Sequence, residues 1–400
     1  MGWRRKTRGQ PPAVRPGSQR IVRGYSFPIK TTPELEQRLW AVAGCCRLVY
    51  NLCLEQRSFA WRYSHHSVGY VDQTAEITAL KADYPWLKEV PSQALQQAAN
   101  DLHQAFQNFF AGRARYPKRR KKYRGDSFRL PQGVAVHKNV ATAPKLGQVR
   151  FVKTRKIRGR LLNTTISCRQ GKWWIAFACE QIVAIPAPVT GPAVGIDLGV
   201  VNSLTRSDGL ILHGPEPMLR DHEQLARLQR KLKPKQRGSQ REKRLRARIR
   251  KLHAHMTNCR RDFLHKTSTM LAKSHGLIVI EDLHVRNMTA SARGSLDEPG
   301  INVGQKSGLN RAILDQGWYE LRRQLTYKAV WYGSRLVVVP APQTSRRCSR
   351  CGHVSPGNRP TRDAFRCLRC GHTAPADHNA AKNILAAGRA VYARHQIRPA

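Results

Sequence analysis

The sequence predicts a multidomain α+β fold, in which a β-rich domain with inserted helices precedes an α/β domain that carries a small metal-binding module. Three observations support this prediction. Apolar residues recur at helical spacing between residues 35 and 110, and strand-like segments flank that stretch. After residue 193, short apolar strands alternate with long helical segments, as in a mixed sheet covered by helices. Four cysteines stand as two close pairs, at 348/351 and 367/370.

The charge of the chain points to a polyanionic partner. The 400 residues include 71 Lys and Arg against 25 Asp and Glu, a formal net charge of +46. Because 40% of the residues are hydrophobic, the chain can bury cores and is not expected to be a disordered polycation. Nucleic acid is therefore the first expected partner, and an anionic membrane the second. No apolar run reaches the ~18 residues of a membrane-spanning helix and no secretory signal is evident, so a cytoplasmic protein is predicted.

The N-terminal part begins with a predicted arm and continues into helices. Residues 1–20 are basic and proline-containing, which indicates a loose arm. Residues 35–110 are predicted to be a helical lobe with a final helix over 92–110, for which Ser92 is the expected N-cap. The apolar positions that mark the first helix are Leu35, Leu39, Val42, Cys46 and Val49.

Strand-like segments on both sides of the helical lobe predict a small β-barrel. Residues 21–34 supply one strand and residues 111–182 supply the others, at 147–153, 162–168 and 172–179. The helical lobe is then an insertion between barrel strands. Residues 183–192 are rich in Pro, Ala and Val, which indicates a linker.

The C-terminal half has the pattern of an α/β domain. Three buried strands are predicted at 193–199, 276–283 and 335–340, with two short strands between 203 and 213. The predicted helices are two basic ones within 221–256, one at 309–332 and a short one near 377–388. Residues 288–308 are rich in Gly and Ser, which indicates a mobile loop.

Two basic stretches are candidates for contact with a phosphate backbone. Between residues 227 and 252 there are 13 Lys and Arg against the single acid Glu242. Such a run usually marks a solvated helix face, but here almost nothing compensates it, which favours nucleic-acid contact. The candidate residues are Lys118, Arg119, Arg120, Lys121, Lys122, Arg124, Arg241, Arg244 and Arg248.

Acidic residues at the ends of apolar strands are the candidate catalytic groups. Asp197 lies in GIDLG, and Glu281 lies in IVIED beside its neighbour Asp282. A carboxylate there costs desolvation energy unless a cation binds, and two Mg²⁺ ions could activate water at a phosphodiester. Asp377, at the head of a predicted helix, is the third candidate. Strand alternation lets only one of Glu281 and Asp282 face Asp197, and the pattern alone does not say which.

The four paired cysteines have the spacing of a zinc ribbon. Cys348 and Cys351 are separated from Cys367 and Cys370 by 15 residues, and a glycine follows each pair. This arrangement predicts one structural Zn²⁺ in a closed tetrahedral site. His353 and His372 could compete as ligands, but a complete four-cysteine set does not need them. The other six cysteines are expected to be buried or incidental thiols.

The motifs GIDLG, IVIEDL, CSRCG…CLRCG and DHNAAKNI, in this order, resemble the TnpB proteins of bacterial insertion sequences, which are related to the compact type V (Cas12-like) CRISPR nucleases. RLVYN at 47–51, RRDFLHK at 260–266 and further stretches extend the resemblance over nearly the whole chain. It implies an RNA-guided endonuclease for double-stranded DNA that acts as a monomer on a transposon-end RNA. It also implies one RuvC site with two Mg²⁺, in which Asp197, Glu281 and Asp377 are the acids and Asp282 is not.

The resemblance also implies names for the domains. A wedge domain would comprise 21–34 and 111–182, and a recognition lobe 35–110. An RNase H-like RuvC domain would comprise 193–346 and 372–390, with a target nucleic-acid-binding zinc ribbon at 347–371 and a tail at 391–400. Four residues would face the target-adjacent motif, because amide side chains can contact adenine in the major groove; they are Tyr70, Ser92, Gln93 and Gln96.

Three alternatives stay open beside this interpretation. The chain could be a miniature type V CRISPR effector, which would differ mainly in the source of its RNA. It could be a guide-dependent repressor that binds without cutting, although three intact acids argue against that. It could also be a guide-independent nuclease or transposase. One departure from the family is Pro375-Ala376 before Asp377, where many relatives carry charged residues.

Overall fold

The computed structural model describes residues 14–215, 217–295 and 297–397. The chain forms two compact units, Met1–Ala184 and Ile185–Ala400. The first contains an antiparallel sheet with helices and the second a mixed sheet with helices, so the predicted multidomain α+β class is confirmed. Within the described ranges, no helix is long and apolar enough to cross a membrane.

The strands of the N-terminal unit form two open sheets. They are β1 (Ser18–Pro28), β2 (Ser127–Leu130), β3 (Ala135–His137), β4 (Val140–Ala143), β5 (Gly147–Arg150), β6 (Arg160–Arg169) and β7 (Lys172–Ala184). One sheet has the order β1-β7-β6-β2 and the other β3-β4-β5, and all pairs are antiparallel.

The predicted small β-barrel is not confirmed, because no closed barrel is found in the part of the chain that the structure describes. The strand expected at 147–153 pairs with β4 in the smaller sheet, and only the Ile29–Phe151 bridge connects it to the end of β1. The edge strands β1 and β2 do not pair with each other. The strand β1 begins at Ser18, inside the predicted arm, and residues 1–13 of that arm lie outside the described residues.

Three helices follow β1 in the stretch that was predicted to be helical: α1 (Pro33–Ser64), α2 (Tyr70–Asp83), which had not been predicted as a separate helix, and α3 (Ser92–Phe110). Thr32 caps α1 by accepting the Leu35 N–H at 3.3 Å, and all five apolar positions predicted for α1 are buried. They share one core with Phe27 and Phe177 of the larger sheet. Ser92 is not the cap of α3 but its first residue, and its hydroxyl accepts from Lys81 Nζ at 2.8 Å.

The C-terminal unit is built on a five-stranded mixed sheet. Its strands are β8 (Val194–Asp197), β9 (Leu204–Arg206), β10 (Ile211–Leu212), β11 (Leu277–Glu281) and β12 (Arg335–Val339), in the order β10-β9-β8-β11-β12. The strands β8, β11 and β12 run parallel, whereas β9 and β10 are antiparallel additions. The helices are α4 (Pro217–Leu232), α5 (Gln240–Ser274), α6 (Val285–Met288), α7 (Val303–Gln316), α8 (Trp318–Tyr332) and α9 (Ala376–Ile397).

Three helical predictions for this unit need correction. The helix expected over 309–332 is two helices, because Gly317 adopts the left-handed conformation with φ 68° between α7 and α8. The loop expected over 288–308 already turns helical at Val303. The helix expected to stop at 388 continues to Ile397, so most of the predicted tail is helical.

A small hairpin lies between β12 and α9. Its strands are β13 (Ala364–Arg366) and β14 (Thr373–Pro375), which pair antiparallel next to the four cysteines. Cys348, Phe365, Cys367 and Ala376 are buried together and form a separate small core. We call residues 347–371 the ribbon.

Candidate metal and carboxylate centre

Two strand ends and one helix start bring three carboxylates together. The parallel register pairs Ile196 with Ile280, so the following residues Asp197 and Glu281 stand side by side where β8 and β11 end. Asp377 lies in the first turn of α9. This helix approaches the sheet closely, since a Cβ on Gly195 would come within 2.2 Å of the Ala381 carbonyl oxygen. The structure therefore juxtaposes the three acids that the sequence singled out.

The neighbouring acid Asp282 has another role. Its carboxylate forms an ion pair with Arg322 of α8, and both side chains are partly exposed. Glu281 is buried and is one of the charges that act on Asp197. Of these two neighbours, Glu281 therefore lies on the side of Asp197, and Asp282 points to α8.

Crowding of the acids changes how they titrate. The pKa of Asp197 is raised to about 7, first by burial and then by the negative charges of Glu281 and Asp377. Burial also raises the pKa of Glu281, and the hydrogen bond from Thr344 opposes that rise. Full ionisation of this cluster near neutral pH therefore calls for additional positive charge beside it.

Three other side chains contact the cluster, and the motif analysis did not identify them. The Thr344 hydroxyl donates to Glu281 Oε1 at 2.5 Å, and Asn202 Nδ2 donates to Asp377 Oδ2 at 3.0 Å. Arg359 of the ribbon places Nη2 3.7 Å from Asp377 Oδ1. The sequence contained a signal for Asn202, because it follows Asp197 by five residues in a glycine-containing turn. It contained no signal for Arg359, whose position depends on the path of the ribbon.

The four cysteines form a compact ligand set. The Cys348 and Cys370 sulfurs are 3.7 Å apart, the Cys351 and Cys367 sulfurs are 3.6 Å apart, and all four lie within 4.8 Å of one another. A tetrahedral zinc–thiolate site with Zn–S bonds of about 2.3 Å needs sulfurs about 3.8 Å apart. The set therefore fits Zn²⁺, and neither His353 nor His372 is part of it.

The backbone around each cysteine pair repeats one turn. The Cys348 N–H donates to the His353 carbonyl, and the Cys367 N–H donates to the His372 carbonyl, both at 2.9 Å. Gly352 and Gly371 follow the pairs with φ of 76° and 70°. The two-residue gap and the following glycine thus give each pair the bend that turns both thiols inward.

The carboxylates are spaced differently from the thiols. Among the described residues, the cysteines are the one group of three or more potential ligands whose atoms all lie within 4.8 Å. Asp197, Glu281 and Asp377 consequently stand further apart than four ligands around one ion, although they are close enough for their charges to interact.

Two buried asparagines of α9 tie the ribbon to the carboxylate cluster. Asn379 donates to the Arg347 carbonyl at 2.8 Å and accepts from the Ser349 N–H at 2.9 Å. Asn383, one turn further on, donates to the carbonyls of Thr344 and Arg347. Both asparagines belong to the DHNAAKNI motif that contains Asp377, so one stretch of helix carries an acid and its attachment to the ribbon.

The four residues expected to face a target-adjacent motif do not form one cluster. The rings of Tyr70 and His103 are 5.9 Å apart, at the start of α2. Ser92 lies by Lys81, at the opposite end of that helix. Since His103 follows Ser92 by eleven residues, about 16 Å of helix separates the two ends. Gln93 and Gln96 belong to the Ser92 end, with Gln93 half-buried and Gln96 exposed.

Part of the basic segment 118–124 has a structural role. Arg120 pairs with Asp101 at 2.9 Å and stacks over the Tyr50 ring at 3.9 Å. Arg119 pairs with the exposed Glu55 at 3.2 Å. Judged against the described residues, the cations of this segment that remain exposed without such an ion pair are Lys118, Lys121, Lys122 and Arg124.

The fold and the two centres define the class of protein: a multidomain α+β protein with a four-cysteine module, whose geometry is compatible with a zinc site, beside a partly buried carboxylate cluster. Family models match three segments. "Probable transposase" (OrfB of IS605) covers residues 176–292, "Cas12f1-like, TNB domain" covers 318–384 and "Helix-turn-helix domain" covers 21–65. In the structure, the last segment holds most of β1 and the single helix α1.

Full-length relatives decide the family. The chain is 41% identical to "Putative RNA-guided DNA endonuclease InsQ" of Escherichia coli K12, over 93% of this chain and 94% of that protein. It is 36% identical to "Putative RNA-guided DNA endonuclease" of Streptomyces pristinaespiralis, over 94% and 91%. The chain belongs to this TnpB (OrfB) family. Its fold also resembles the Cas12f1 chain of a cryo-EM complex with sgRNA and target DNA, with a TM-score of 0.50 at 12% identity, covering 92% of this chain and 99% of the other.

Proposed function

We propose that this protein is an RNA-guided endonuclease for double-stranded DNA and that Asp197, Glu281 and Asp377 form its RuvC-type cutting centre. The observation that carries the proposal is the convergence of three acids from β8, β11 and α9, where burial first and the charges of Glu281 and Asp377 second raise the pKa of Asp197 to about 7. A cluster of one buried and two half-buried carboxylates with a single guanidinium beside it is suited to binding divalent cations. The names of the family relatives support the reaction class.

The donor set fits magnesium. Carboxylate oxygens are ligands that Mg²⁺ prefers, and three acids with water and phosphate oxygens are enough to hold two ions. When bound, the two ions would activate a water and stabilise the leaving oxygen of the phosphodiester. In this proposal Asp197 lies between the other two acids, which agrees with both charges acting on it.

The remaining side chains would position the acids and the substrate. Asn202 fixes one oxygen of Asp377, and Thr344 fixes one oxygen of Glu281. The second oxygen of Asp377 faces Arg359 at 3.7 Å, and these contacts fix the direction of the carboxylate. Arg359 places a guanidinium at the edge of the cluster, where it can hold a phosphate oxygen of the DNA strand.

The net charge of the chain and its family support the use of a guide RNA. A guide RNA and its heteroduplex with DNA require a basic surface that contacts phosphate, and the chain carries a net charge of +46. We propose that the sheets of the N-terminal unit act as the wedge domain and that α1 to α3 act as the recognition lobe. The ribbon would contact target nucleic acid, and the protein would act as a monomer on its RNA.

The test is to purify the protein from cells that also express the DNA flanking its gene and to sequence any bound RNA. A discrete RNA with a constant scaffold and a variable end is expected, and that end defines a DNA target for cleavage with Mg²⁺. Glu281→Ala should abolish cutting while target binding persists, and Asp282→Ala serves as the adjacent control. Cutting by Glu281→Ala at the wild-type rate would refute the centre. RNA-free protein that cuts equally well would refute the guide and favour a guide-independent nuclease or transposase.

A miniature type V CRISPR effector is the second candidate, favoured by the match of residues 318–384 to the Cas12f1-like domain. The same sequencing experiment separates the two, because the constant part of the RNA would derive from a CRISPR repeat instead of a transposon end. A binding-only repressor would hold the RNA and the target yet leave the target intact in Mg²⁺.

A further inference from the structure

A cationic cleft lies in the helical hairpin of the C-terminal unit, on elements that do not carry the three carboxylates. It has a volume of about 520 Å³ and lies between the end of α4, the following turn and the start of α5. Five cations and two apolar residues line it: Lys231, Lys235, Arg241, Arg244, Arg248, Pro234 and Leu245.

Helical periodicity produces one wall of the cleft. Arg241, Arg244, Leu245 and Arg248 follow at steps of three, one and three residues, which places them on one face of α5. Lys243 and Arg250 are exposed on the opposite face of the same helix. The residues that line the cleft thus share one face of α5, and the cations of the opposite face do not line it.

The one acid of this segment is turned into the hairpin turn. Glu242 accepts the Gly238 N–H at 2.5 Å and pairs with Arg246 at 2.7 Å, and its own N–H donates to the Ser239 hydroxyl at 3.2 Å. Gly238 has a φ of 88°, which favours glycine at this point of the turn. Glu242 thus fixes the geometry of the turn and does not neutralise the five cations that line the cleft.

We propose that this cleft holds one unpaired nucleotide of a nucleic-acid strand together with its flanking phosphates. Five cations around a concavity repel one another unless an anion joins them, and arginine binds phosphate through two parallel hydrogen bonds. Leu245 and Pro234 supply an apolar floor for a base, which a phosphate alone would not need. Unpaired bases splayed from a strand are the elements that proteins bind by such combined apolar and guanidinium contacts.

The site adds a nucleic-acid contact to the proposed function and rests on it only in that the protein binds nucleic acid. The unpaired nucleotide could come from a bulge or end of the guide RNA or from a displaced DNA strand. Both sources offer the same base and phosphate chemistry. The test therefore measures binding and not cutting, so that failure of the cleft and failure of the cutting centre give different results.

The experiment compares two double variants of the full-length protein, freed of nucleic acid at high salt. Arg244→Gln/Arg248→Gln removes two cations from the cleft, whereas Lys243→Gln/Arg250→Gln removes two from the opposite face. Fluorescence anisotropy is measured with single strands of about 12 nucleotides, as RNA and as DNA, and with an RNA duplex of equal length. Leu245→Gln tests the floor without a change of charge.

We expect the cleft variant to lose about tenfold in affinity for a single strand, and the opposite-face variant to lose much less. The slope of log affinity against log salt should fall by about 1.4 in the cleft variant, which corresponds to two phosphate contacts. A loss for RNA alone assigns the nucleotide to RNA, a loss for DNA alone assigns it to DNA, and a loss for both supports an unpaired nucleotide of either. Equal losses in the two double variants, or an equal loss for the duplex, would overturn the proposal, as would unchanged single-strand affinity of Leu245→Gln.

Discussion

Arg359 reaches from the ribbon to the carboxylate cluster, where its Nη2 lies 3.7 Å from Oδ1 of Asp377. The same guanidinium donates to the Arg362 carbonyl through Nε at 3.1 Å, which fixes its direction. It is also the cation whose charge lowers the pKa of Asp197 against the effect of burial and the two other acids. The four-cysteine ribbon thus supplies a positive charge to a centre that is built on the sheet.

The first prediction concerns this guanidinium. Arg359→Ala should lower the rate of DNA cutting by on the order of 10²–10³, because one preorganised contact to the phosphate is lost in the transition state. Arg359→Lys keeps the positive charge but not the two parallel donors of the guanidinium, so its cutting rate should lie between those of the wild type and of Arg359→Ala. Single-turnover cleavage with saturating enzyme measures the effect. Arg362→Ala, in the same loop, keeps the carbonyl that Arg359 contacts and is the control. A wild-type rate for Arg359→Ala would remove this residue from the site.

The second prediction is that the carboxylate of Asp197 lowers the stability of the folded protein but is required for DNA cutting. Its folded-state pKa of about 7 lies above its ordinary value, so the folded protein holds a proton that the unfolded chain releases. Without added magnesium, the contribution of this group to stability therefore falls as pH rises from about 4 to 7. Asp197→Asn removes the charge in an isosteric side chain. The variant should melt higher than wild type near pH 8, and the difference should be small near pH 4, at the lower end of this window.

The same variant should not cut DNA, since the carboxylate is lost. Calorimetry at both pH values, with magnesium omitted and zinc retained, checks the stability difference. Asp282→Asn, at the exposed ion pair with Arg322, should show no such dependence on pH. A melting difference that is equal at the two pH values would contradict the burial of a charge at Asp197.

The third prediction tests the attachment of α9 to the ribbon. Asn379→Ala leaves the half-buried Ser349 N–H without its acceptor and removes one of the two amide donors to the Arg347 carbonyl, which keeps Asn383. The free energy of unfolding should fall by about 1–3 kcal/mol. Urea denaturation measures this, with Lys382→Ala on the exposed side of the same helix as control. We expect cutting to fall as well, because Asp377 lies only two residues before Asn379. Unchanged stability would show that these two bonds do not hold the ribbon.

Sequence patterns predicted the parts of this molecule that depend on local periodicity. The apolar strands of the mixed sheet and the apolar face of α1 each contain their own signal, so the pattern alone placed Asp197 and Glu281 at strand ends. The strand pairing of the N-terminal unit could not be predicted in the same way, because it depends on segments that are distant in the sequence. The strand β5 pairs with β4 and does not close the larger sheet. Arg359 was missed for the same physical reason. The break at Gly317 was visible in principle, since a glycine within a helical pattern can mark an end.

The last prediction concerns zinc. The small apolar core of the ribbon consists of Cys348, Phe365 and Cys367, with Ala376 of α9 packed beside them, and it is too small to fold without a metal or a disulfide. Cys367→Ser should therefore lose most of the bound zinc, which we expect at one ion per chain in the wild type, and the melting of the C-terminal unit should fall. Because Ala376 directly precedes Asp377 and Arg359 belongs to the ribbon, loss of the metal should also abolish cutting. Cys259 is a partly buried cysteine on α5, outside the ribbon. The matched control is Cys259→Ser, which should retain the zinc of the ribbon. Single-strand binding at the cationic cleft should persist in the zinc-free variant, because α4 and α5 lie outside the ribbon. A variant that loses zinc yet cuts normally would show that the ribbon does not position the carboxylates.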